Sequence, residues 1–381
     1  MPYENERANK TAHIDFVKSP EVQAFLNNCE YLTPPTEAEA AKLTDNFRPP
    51  AYPASLLSIE LVLATDGSNY ESAINDQIPS TRVGYLKIGA VLFSLKEFSQ
   101  LRNGRFVDPF KVAALQDNNT ALSFVLPSAN VRLSGKNSVR DSFRATLDEQ
   151  LNSPKTRFEE RNFHSSLRGT FFHLASRRPG ELGTSDPFHL KLHKCPTCGE
   201  GPVEVEDKEE QQFCPFCGAP VYPSDCLRLW EEVHDYQSNG VALSRLMLIL
   251  EHLIPIHYIR FIEQRALLVL NKIAFFVDGP LAIFGTAAWL HRSIMIYLNE
   301  VNTKLAKHHQ PPLLLIGLQK SGQIVDYLHL IDRFLPPDRL FAIDDEYRYK
   351  YILANRDPSR GIASPPTAPP CASRSPPASA P

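Results

Sequence analysis

The chain has 381 residues with a formal net charge of −3, and 43% of its residues are hydrophobic and 22% charged. This composition is that of a soluble globular protein, long enough for one large domain with an insertion or for two small domains. Charged residues or Pro interrupt the long apolar runs before they reach the length of a bilayer, so no transmembrane helix is predicted. Residues 1–10 are polar and lack the apolar core of a signal peptide, which argues against secretion and favours the cytoplasm.

The net charge does not by itself indicate a nucleic-acid-binding protein, but the charge is distributed unevenly. Residues 82–178 contain 16 Lys and Arg against 8 Asp and Glu. A local excess of this kind can form a phosphate-binding face within a nearly neutral protein. The alternative is a solvated basic surface without a ligand.

Residues 1–55 are predicted to form a helical lead-in that pairs of Pro interrupt. From residue 56 the pattern becomes that of strands followed by a helix, as in many α/β nuclease-type domains. The predicted helices of this first half are residues 20–28, 37–43 and 138–151, and the predicted strands are residues 57–65, 82–95 and 121–127.

Residues 190–226 are predicted to form a separate zinc ribbon. They contain the motifs Cys195-Pro-Thr-Cys198-Gly and Cys214-Pro-Phe-Cys217-Gly. Each motif turns the backbone into a tight knuckle with two thiolates, and two knuckles complete the closed four-cysteine shell of structural Zn²⁺. A redox-active Cys pair is the weaker alternative. Paired motifs and scattered remaining cysteines also favour metal binding in a reducing compartment over a disulfide framework.

The loop between the two knuckles is acidic, and acidic side chains would repel a phosphate backbone. The ribbon is therefore expected to be a structural staple or a protein-contact element. Because its four ligands leave no open coordination position, it is not expected to hold a catalytic metal.

Two Asp-Gly motifs follow strand-like apolar runs. Asp66 and Gly67 follow the first predicted strand, and Asp278 and Gly279 follow residues 273–277. Open α/β sheets place their sites at the carboxyl ends of strands, and carboxylates there suit hard cations such as Mg²⁺ and Mn²⁺. A single Asp-Gly is commonly a structural turn. The occurrence of two, each after a buried strand, favours a metal site.

Glu251 follows an apolar segment, residues 246–250, and is a candidate for the interior. A buried carboxylate needs a partner or a metal; an exposed surface Glu is the alternative. The remaining predicted helices are residues 225–253, which Pro255 is expected to break, then 258–270, 282–308 and 323–334, and the remaining strands are residues 312–318 and 340–343. Residues 357–381 are rich in Pro, Ser and Ala and are predicted to form a disordered tail.

These residues together resemble the NurA family of nucleases. The resemblance covers residues 56–353, and the zinc ribbon is an insertion that many members lack. It rests on Asp66-Gly67-Ser68 after an early strand, Glu251 on a helix, Phe276-Val277-Asp278-Gly279-Pro280-Leu281 after a later strand, and Gly317-Leu318-Gln319-Lys320-Ser321 after the next one.

The resemblance implies one domain, residues 56–356, with an RNase H-like mixed sheet flanked by helices. It also implies a Mn²⁺- or Mg²⁺-dependent DNA nuclease, a homodimer, and a HerA-type hexameric ATPase as partner, in DNA end processing or anti-phage defence. The implied catalytic metal ligands are Asp66, Glu251 and Asp278. Lys320 is a candidate contact to nucleic-acid phosphate, with an ordinary surface Lys as its alternative.

The family also uses a histidine near its C-terminus, and this chain departs from that pattern. Its last histidine is His329, which lies too early, and Asp344 or Asp345 is the candidate for a late acidic ligand. The alternative function is therefore a catalytically weak or inactive adaptor that docks a DNA-translocating ATPase. A phosphatase acting on small substrates is disfavoured because no Gly-rich phosphate loop is evident.

Overall fold

The computed structural model describes residues 18–29, 35–51, 58–103, 106–107, 119–160, 163–344, 347–348 and 352. The chain divides into two compact units. The larger unit is Ala54–Lys320, and the other combines Met1–Pro53 with Ser321–Pro381. The predicted tail, residues 357–381, lies outside the described residues.

The strands and helices are numbered along the chain. The strands are β1 Leu61–Ala73, β2 Arg82–Ser94, β3 Arg102–Asn103, β4 Phe106–Val107, β5 Asn119–Pro127, β6 Arg157–Glu160, β7 Phe163–Ser166, β8 His189–Leu192, β9 Val203–Glu206, β10 Gln212–Phe213, β11 Pro220–Val221, β12 Ile273–Asp278 and β13 Leu314–Leu318. The α-helices are α1 Pro20–Leu26, α2 Glu37–Thr44, α3 Leu95–Ser99, α4 Val139–Leu151, α5 Leu167–Ala175, α6 Gly240–Ala266, α7 Ala288–Lys307 and α8 Gln323–Ile331.

A five-stranded mixed sheet lies at the centre of the larger unit, in the order β13-β12-β1-β2-β5. β12 runs parallel to both β1 and β13, whereas β2 runs antiparallel to β1 and β5. Helices flank this sheet. The expected fold class, an RNase H-like mixed α/β sheet flanked by helices, is thereby confirmed.

The two faces of the sheet differ in burial because successive side chains of a strand point to opposite faces. Leu63, Leu86 and Ile88 face inward and are almost fully buried in the core that α6 shares. Gly84 lies on the same inner face, where a Cβ would come within 2.7 Å of Leu243 Cδ1 on α6. The lack of a side chain there lets α6 lie close against β2.

Helix α6 runs through Pro255 without interruption, so the predicted break at this residue is wrong. Pro255 has no N–H to bond the carbonyl of Glu251, and such a residue normally breaks a helix. Here the middle of α6 is buried, and tertiary packing outweighs the local cost. The hydroxyl of Thr65 on β1 lies 3.4 Å from the freed carbonyl oxygen of Glu251 and 3.3 Å from that of Phe276, so these two acceptors share its single proton.

The segment Gly240–Lys272 is long and apolar enough to cross a membrane by length and composition alone. However, 67% of its most apolar window is buried inside the protein, as in the core helix of a globular domain. Its apolar character is therefore explained by packing against the sheet.

Other element boundaries also differ from the predictions. Residues 225–239 form 3-10 turns and loops instead of the start of α6. Helix α7 begins at Ala288 and not at residue 282, because Gly285 has φ +74 and a 3-10 turn precedes the helix. The strand predicted at residues 340–343 is reduced to a single bridge between Leu340 and Arg48.

The zinc ribbon packs into the main core of the larger unit. Leu190, Val203, Val205 and Val221 belong to the same buried cluster as the residues of α6. Where the ribbon ends, Asp225 accepts two hydrogen bonds of 2.7 Å from the buried guanidinium of Arg144 on α4. The ribbon and the sheet are therefore expected to unfold together.

The smaller unit has its own apolar cluster. Leu43 of α2 lies in it with Tyr327 and Ile331 of α8. Asp344 accepts the backbone N–H of Tyr347 at 2.8 Å, which gives this carboxylate a local structural role. Asp345 lies outside the described residues, so the role of a late acidic ligand stays a prediction.

Candidate active site and zinc centre

Asp66 lies where β1 extends beyond its parallel neighbour. The pairing with β12 ends at Thr65 opposite Val277, whereas β1 continues beside β2 as far as Ala73. The predicted strand end at Asp66 is therefore wrong, since a long hairpin strand passes through it. Asp278 is the last residue of β12, close to its predicted position directly after the strand. Parallel neighbours in register point the same way, so Asp66 and Asp278 lie next to each other on the outer face, where Asp278 raises the pKa of Asp66.

Glu251 reaches the same place from the inner side of β1. Its side chain is buried, and the nearby backbone N–H of Gly67 favours the ionised form of its carboxylate. A Cβ on Gly67 would lie 2.7 Å from Glu251 Oε1, closer than real Cβ atoms approach other heavy atoms. Gly67 is thus required for the close approach of α6 at this point. The predicted interior position of Glu251 is confirmed. Its carboxylate and that of Asp66 lie on opposite sides of β1.

The negative charges at this place raise the pKa of Glu251 and of Asp66. For Glu251, burial and then the negative charges of Asp278 and Asp66 raise the pKa from 4.5 to about 7. For Asp66, burial is the largest cause of a raised pKa, followed by the hydrogen bond and the charge of Asp278. Raised pKa values of this kind are expected where carboxylates lie close together with too little positive charge nearby.

Lys320 supplies a positive charge beside them. Its Nζ lies 3.0 Å from Asp278 Oδ2, and its charge lowers the pKa of both Asp66 and Glu251. The Lys320 side chain is itself 67% exposed. The structure therefore places Asp66, Asp278 and Lys320 together on the outer face of the sheet and Glu251 on the inner side of β1, and it gives Lys320 an ion-pair partner that the sequence did not reveal.

Asp66 and Asp278 open into a depression of about 230 Å³ on the outer face, which Gly89, Phe276 and Lys320 also line. Glu251 is not part of this lining and lies on the inner side of β1. Two carboxylates that share one pocket suit a hard divalent cation, which would neutralise them. Their spacing is not that of a closed shell: in the described part of the chain, only the four cysteines bring three or more such ligand atoms within 4.8 Å of one another.

His252 is a positioning residue that the sequence analysis missed. Its buried ring lies between two backbone carbonyl oxygens, those of Leu248 at 2.8 Å and Pro280 at 3.1 Å. It thereby connects α6, directly after Glu251, to the loop directly after Asp278. Its place next to Glu251 in an apolar segment was the signal available in the sequence.

The four cysteines of the ribbon form a compact cluster. Cys195 and Cys217 have their sulfurs 3.8 Å apart, and those of Cys198 and Cys214 are 3.9 Å apart. A tetrahedron with Zn–S bonds of about 2.3 Å has edges of about 3.8 Å, so the sulfurs already have the spacing of a zinc shell. The predicted Zn²⁺ ligands fit a structural zinc ion.

Much of the predicted basic face is neutralised within the protein. Arg144 is buried against Asp225, Arg168 pairs with Asp207 at 2.7 Å, and Arg177 pairs with Glu300 at 2.7 Å. The pair between Arg168 and Asp207 joins the basic segment to the acidic loop of the ribbon. These arginines support the fold, and phosphate contacts from this segment must come from its other Lys and Arg residues.

Replacing Gly67 with Ala should lower the stability of the larger unit. The added Cβ would come within 2.7 Å of Glu251 Oε1, Ile88 Cδ1 and Met247 Cγ, and overpacking of this kind costs about 1–3 kcal/mol. Gly89→Ala is the matched control, because its nearest neighbour would be Asp66 O at 3.8 Å. Denaturant unfolding should separate the two variants, and equal stability would contradict the close approach of α6.

Glu251→Gln should stabilise the protein in metal-free buffer at neutral pH. Because the folded-state pKa of Glu251 is raised to about 7, ionisation destabilises the wild type as pH rises from 4.5 through 7. The variant cannot ionise at this position, so its free energy of unfolding should exceed that of the wild type by on the order of 3 kcal/mol above pH 7, with no difference below pH 4.5.

Glu71→Gln, which changes a carboxylate on β1, is the control with an effect of opposite sign. Burial opposes ionisation of Glu71, but hydrogen bonds from Ser128, Ser238 and the backbone of Asn239 outweigh it and lower the pKa. This variant should be less stable than the wild type at neutral pH and as stable as the wild type in acid. Thermal melts between pH 4 and 8 test both variants, and a Glu251→Gln gain independent of pH would contradict the electrostatic account.

Cys198→Ser should release the zinc and destabilise the whole larger unit, because the ribbon shares its core. Loss of several kcal/mol would lower the melting temperature by about 5–10 °C. Cys29→Ser, which changes a cysteine outside the cluster, should keep one zinc ion per chain. Elemental analysis measures the zinc content and thermal melts measure the stability. A zinc-free variant that melts at the same temperature as the wild type would show that the ribbon does not stabilise the larger unit.

The family comparison agrees with this geometry. A family model of the NurA domain matches residues 60–364, which include Asp66, Glu251, Asp278 and Lys320. No curated protein and no solved structure matches the chain. The match covers most of the chain, and the chain therefore belongs to the NurA family of nucleases.

Proposed function

We propose that this protein is a Mn²⁺- or Mg²⁺-dependent deoxyribonuclease that hydrolyses phosphodiester bonds. The observation that carries the proposal is the meeting of Asp66, Asp278 and Glu251 around one point of β1. Membership of a nuclease family supports the reaction class, and the excess of negative charge at the site supports the dependence on a divalent cation. DNA is the proposed substrate.

Asp66, Glu251 and Asp278 would hold the cation. When bound, a divalent ion would lower the pKa of a water molecule and neutralise charge that develops on the phosphate. Asp66 and Asp278 face the open depression, so they would bind the cation on the side from which the substrate approaches. Glu251, which lies against Gly67 on the buried side, would fix the position of the cation against the strand.

Lys320 would contact a phosphate group of the substrate. Its Nζ is exposed and 3.0 Å from Asp278, so a cation that engages Asp278 would leave this ammonium group available to a phosphate oxygen of DNA. A Lys acts there as a point charge, without base specificity. This role agrees with a nuclease that cuts largely without regard to sequence.

The proposal extends to the partners of the protein. We propose that it forms a homodimer and acts with a HerA-type DNA-translocating ATPase in DNA end processing or anti-phage defence. Family membership supports this context, and the cytoplasm is the proposed location.

A second candidate function is that of a catalytically weak adaptor for such an ATPase. The observation that favours it is the lack of any histidine after His329, where the family pattern expects a site residue. The intact set of carboxylates favours the enzyme.

Asp66→Asn and Asp278→Asn should each reduce cutting of labelled linear DNA in Mn²⁺ by about 100-fold or more, because each removes charge that binds the cation. Glu60→Gln is the control: Glu60 is an exposed carboxylate on the same unit that pairs with Lys272 at 2.9 Å. Wild-type cutting rates in either Asn variant would rule out the assigned site. A wild type that binds the ATPase but cuts nothing would favour the adaptor.

A further inference from the structure

The outer face of the β1–β2 hairpin carries a row of side chains that begins at Asp66 and continues with residues that the proposed chemistry does not use. Asp66, Ser68 and Tyr70 alternate along β1 on this face, and the register pairs Ser68 with Lys87 and Tyr70 with Tyr85 on β2. Directly opposite residues of an antiparallel pair point to the same face. The row therefore begins at the carboxylate depression and continues without a break away from β12.

Both tyrosines are open to solvent in a position where a buried face would be expected. Tyr70 is 68% exposed and Tyr85 42% exposed, although both lie within long paired strands. The Tyr85 hydroxyl contacts Ser123 Oγ on β5 at 3.2 Å, which holds this side chain on the sheet surface. Two aromatic rings on a rigid sheet are thus presented side by side.

One positive charge lies in the row beyond the carboxylates. Lys87 lies between the carboxylate site and the tyrosine pair and is exposed. No ion pair engages its ammonium group in the part of the chain that the structure describes. A cation next to exposed aromatic rings is the combination by which proteins hold unpaired nucleic acid, since the rings stack on bases and the cation contacts the backbone.

We infer that Tyr70, Tyr85 and Lys87 form a stacking platform for an unpaired DNA segment next to the scissile phosphate. The platform rests on the proposed nuclease function and adds its substrate form, a strand with accessible bases. Tyr70 lies four residues from Asp66, which is about 13 Å along a strand. This is the length of about four nucleotides stacked at 3.4 Å each. Both tyrosines act as positioning residues, since they lie away from the reacting atoms.

The test measures binding of three fluorescent probes without added divalent cation: dT30, an abasic backbone of equal length, and a blunt 30-bp duplex. The wild type should bind dT30 at least tenfold more tightly than the abasic strand or the duplex. The double variant Tyr70→Ala/Tyr85→Ala should lose about tenfold or more in dT30 affinity, and its binding of the abasic strand should not change.

Two further variants control for folding and chemistry. Tyr70→Phe/Tyr85→Phe keeps both rings and should bind dT30 like the wild type. Tyr236→Ala removes a tyrosine that is 81% exposed elsewhere in the unit and should also bind normally. Lys87→Ala should weaken dT30 and the abasic strand equally and reduce the slope of log affinity against log salt by about 0.7.

Each contrary result has a distinct meaning. Wild-type dT30 affinity in the double Ala variant, or equal wild-type affinity for dT30 and the abasic strand, would overturn the platform and leave the nuclease proposal standing. A wild type that binds none of the probes and cuts no DNA in Mn²⁺ would overturn both. If the double Ala variant becomes monomeric by light scattering while its dT30 binding is unchanged, the face is an interface between copies, and the platform is wrong.

Discussion

The contact between Gly67 and Glu251 is the constraint on which the site depends. A strand can present one carboxylate on its outer face, but a second from the opposite side requires the neighbouring helix to approach the backbone itself. The missing side chain of Gly67 permits this approach, and its nearby backbone N–H favours the ionised form of the Glu251 carboxylate. Asp66 and Gly67 thus have complementary roles: Asp66 places a carboxylate on the outer face of β1, and Gly67 leaves space for the carboxylate of Glu251 on the inner face.

The interior of the protein supports this contact at several points. The Thr65 hydroxyl lies 3.4 Å from the Glu251 carbonyl oxygen that Pro255 leaves free and 3.3 Å from that of Phe276, and the His252 ring lies 3.1 Å from the carbonyl oxygen of Pro280. The segments that carry Glu251 and Asp278 therefore meet through backbone groups as well as through charge. A site of mutually repelling carboxylates needs such support, because their repulsion opposes folding until a cation neutralises it.

The zinc ribbon contributes to the same core from a distance. Its apolar side chains join the cluster around α6, and its acidic loop pairs with Arg168 of α5. The acidic loop therefore serves to neutralise a basic segment of the chain itself. This arrangement explains how a ribbon with a repulsive charge for DNA can belong to a nuclease.

Much of the fold and the site was predictable because the signals are local. Apolar runs predicted the central strands β2, β5, β12 and β13, and the two Cys-Pro-x-Cys-Gly motifs predicted the sulfur cluster. What failed depends on tertiary contact: the extension of β1 past Asp66 comes from its pairing with β2, and the continuity of α6 through Pro255 comes from burial. The outward row of Ser68, Tyr70, Tyr85 and Lys87 also required the register of two strands, which no single stretch of sequence reveals.

The most direct test of the central claim is a crystal structure of the protein soaked with Mn²⁺, with the anomalous signal recorded at the manganese edge. The account predicts a peak bonded to oxygens of Asp66, Glu251 and Asp278, with Lys320 Nζ displaced from Asp278. Manganese bound elsewhere in the larger unit, with these three carboxylates free of metal and Lys320 still paired, would contradict it.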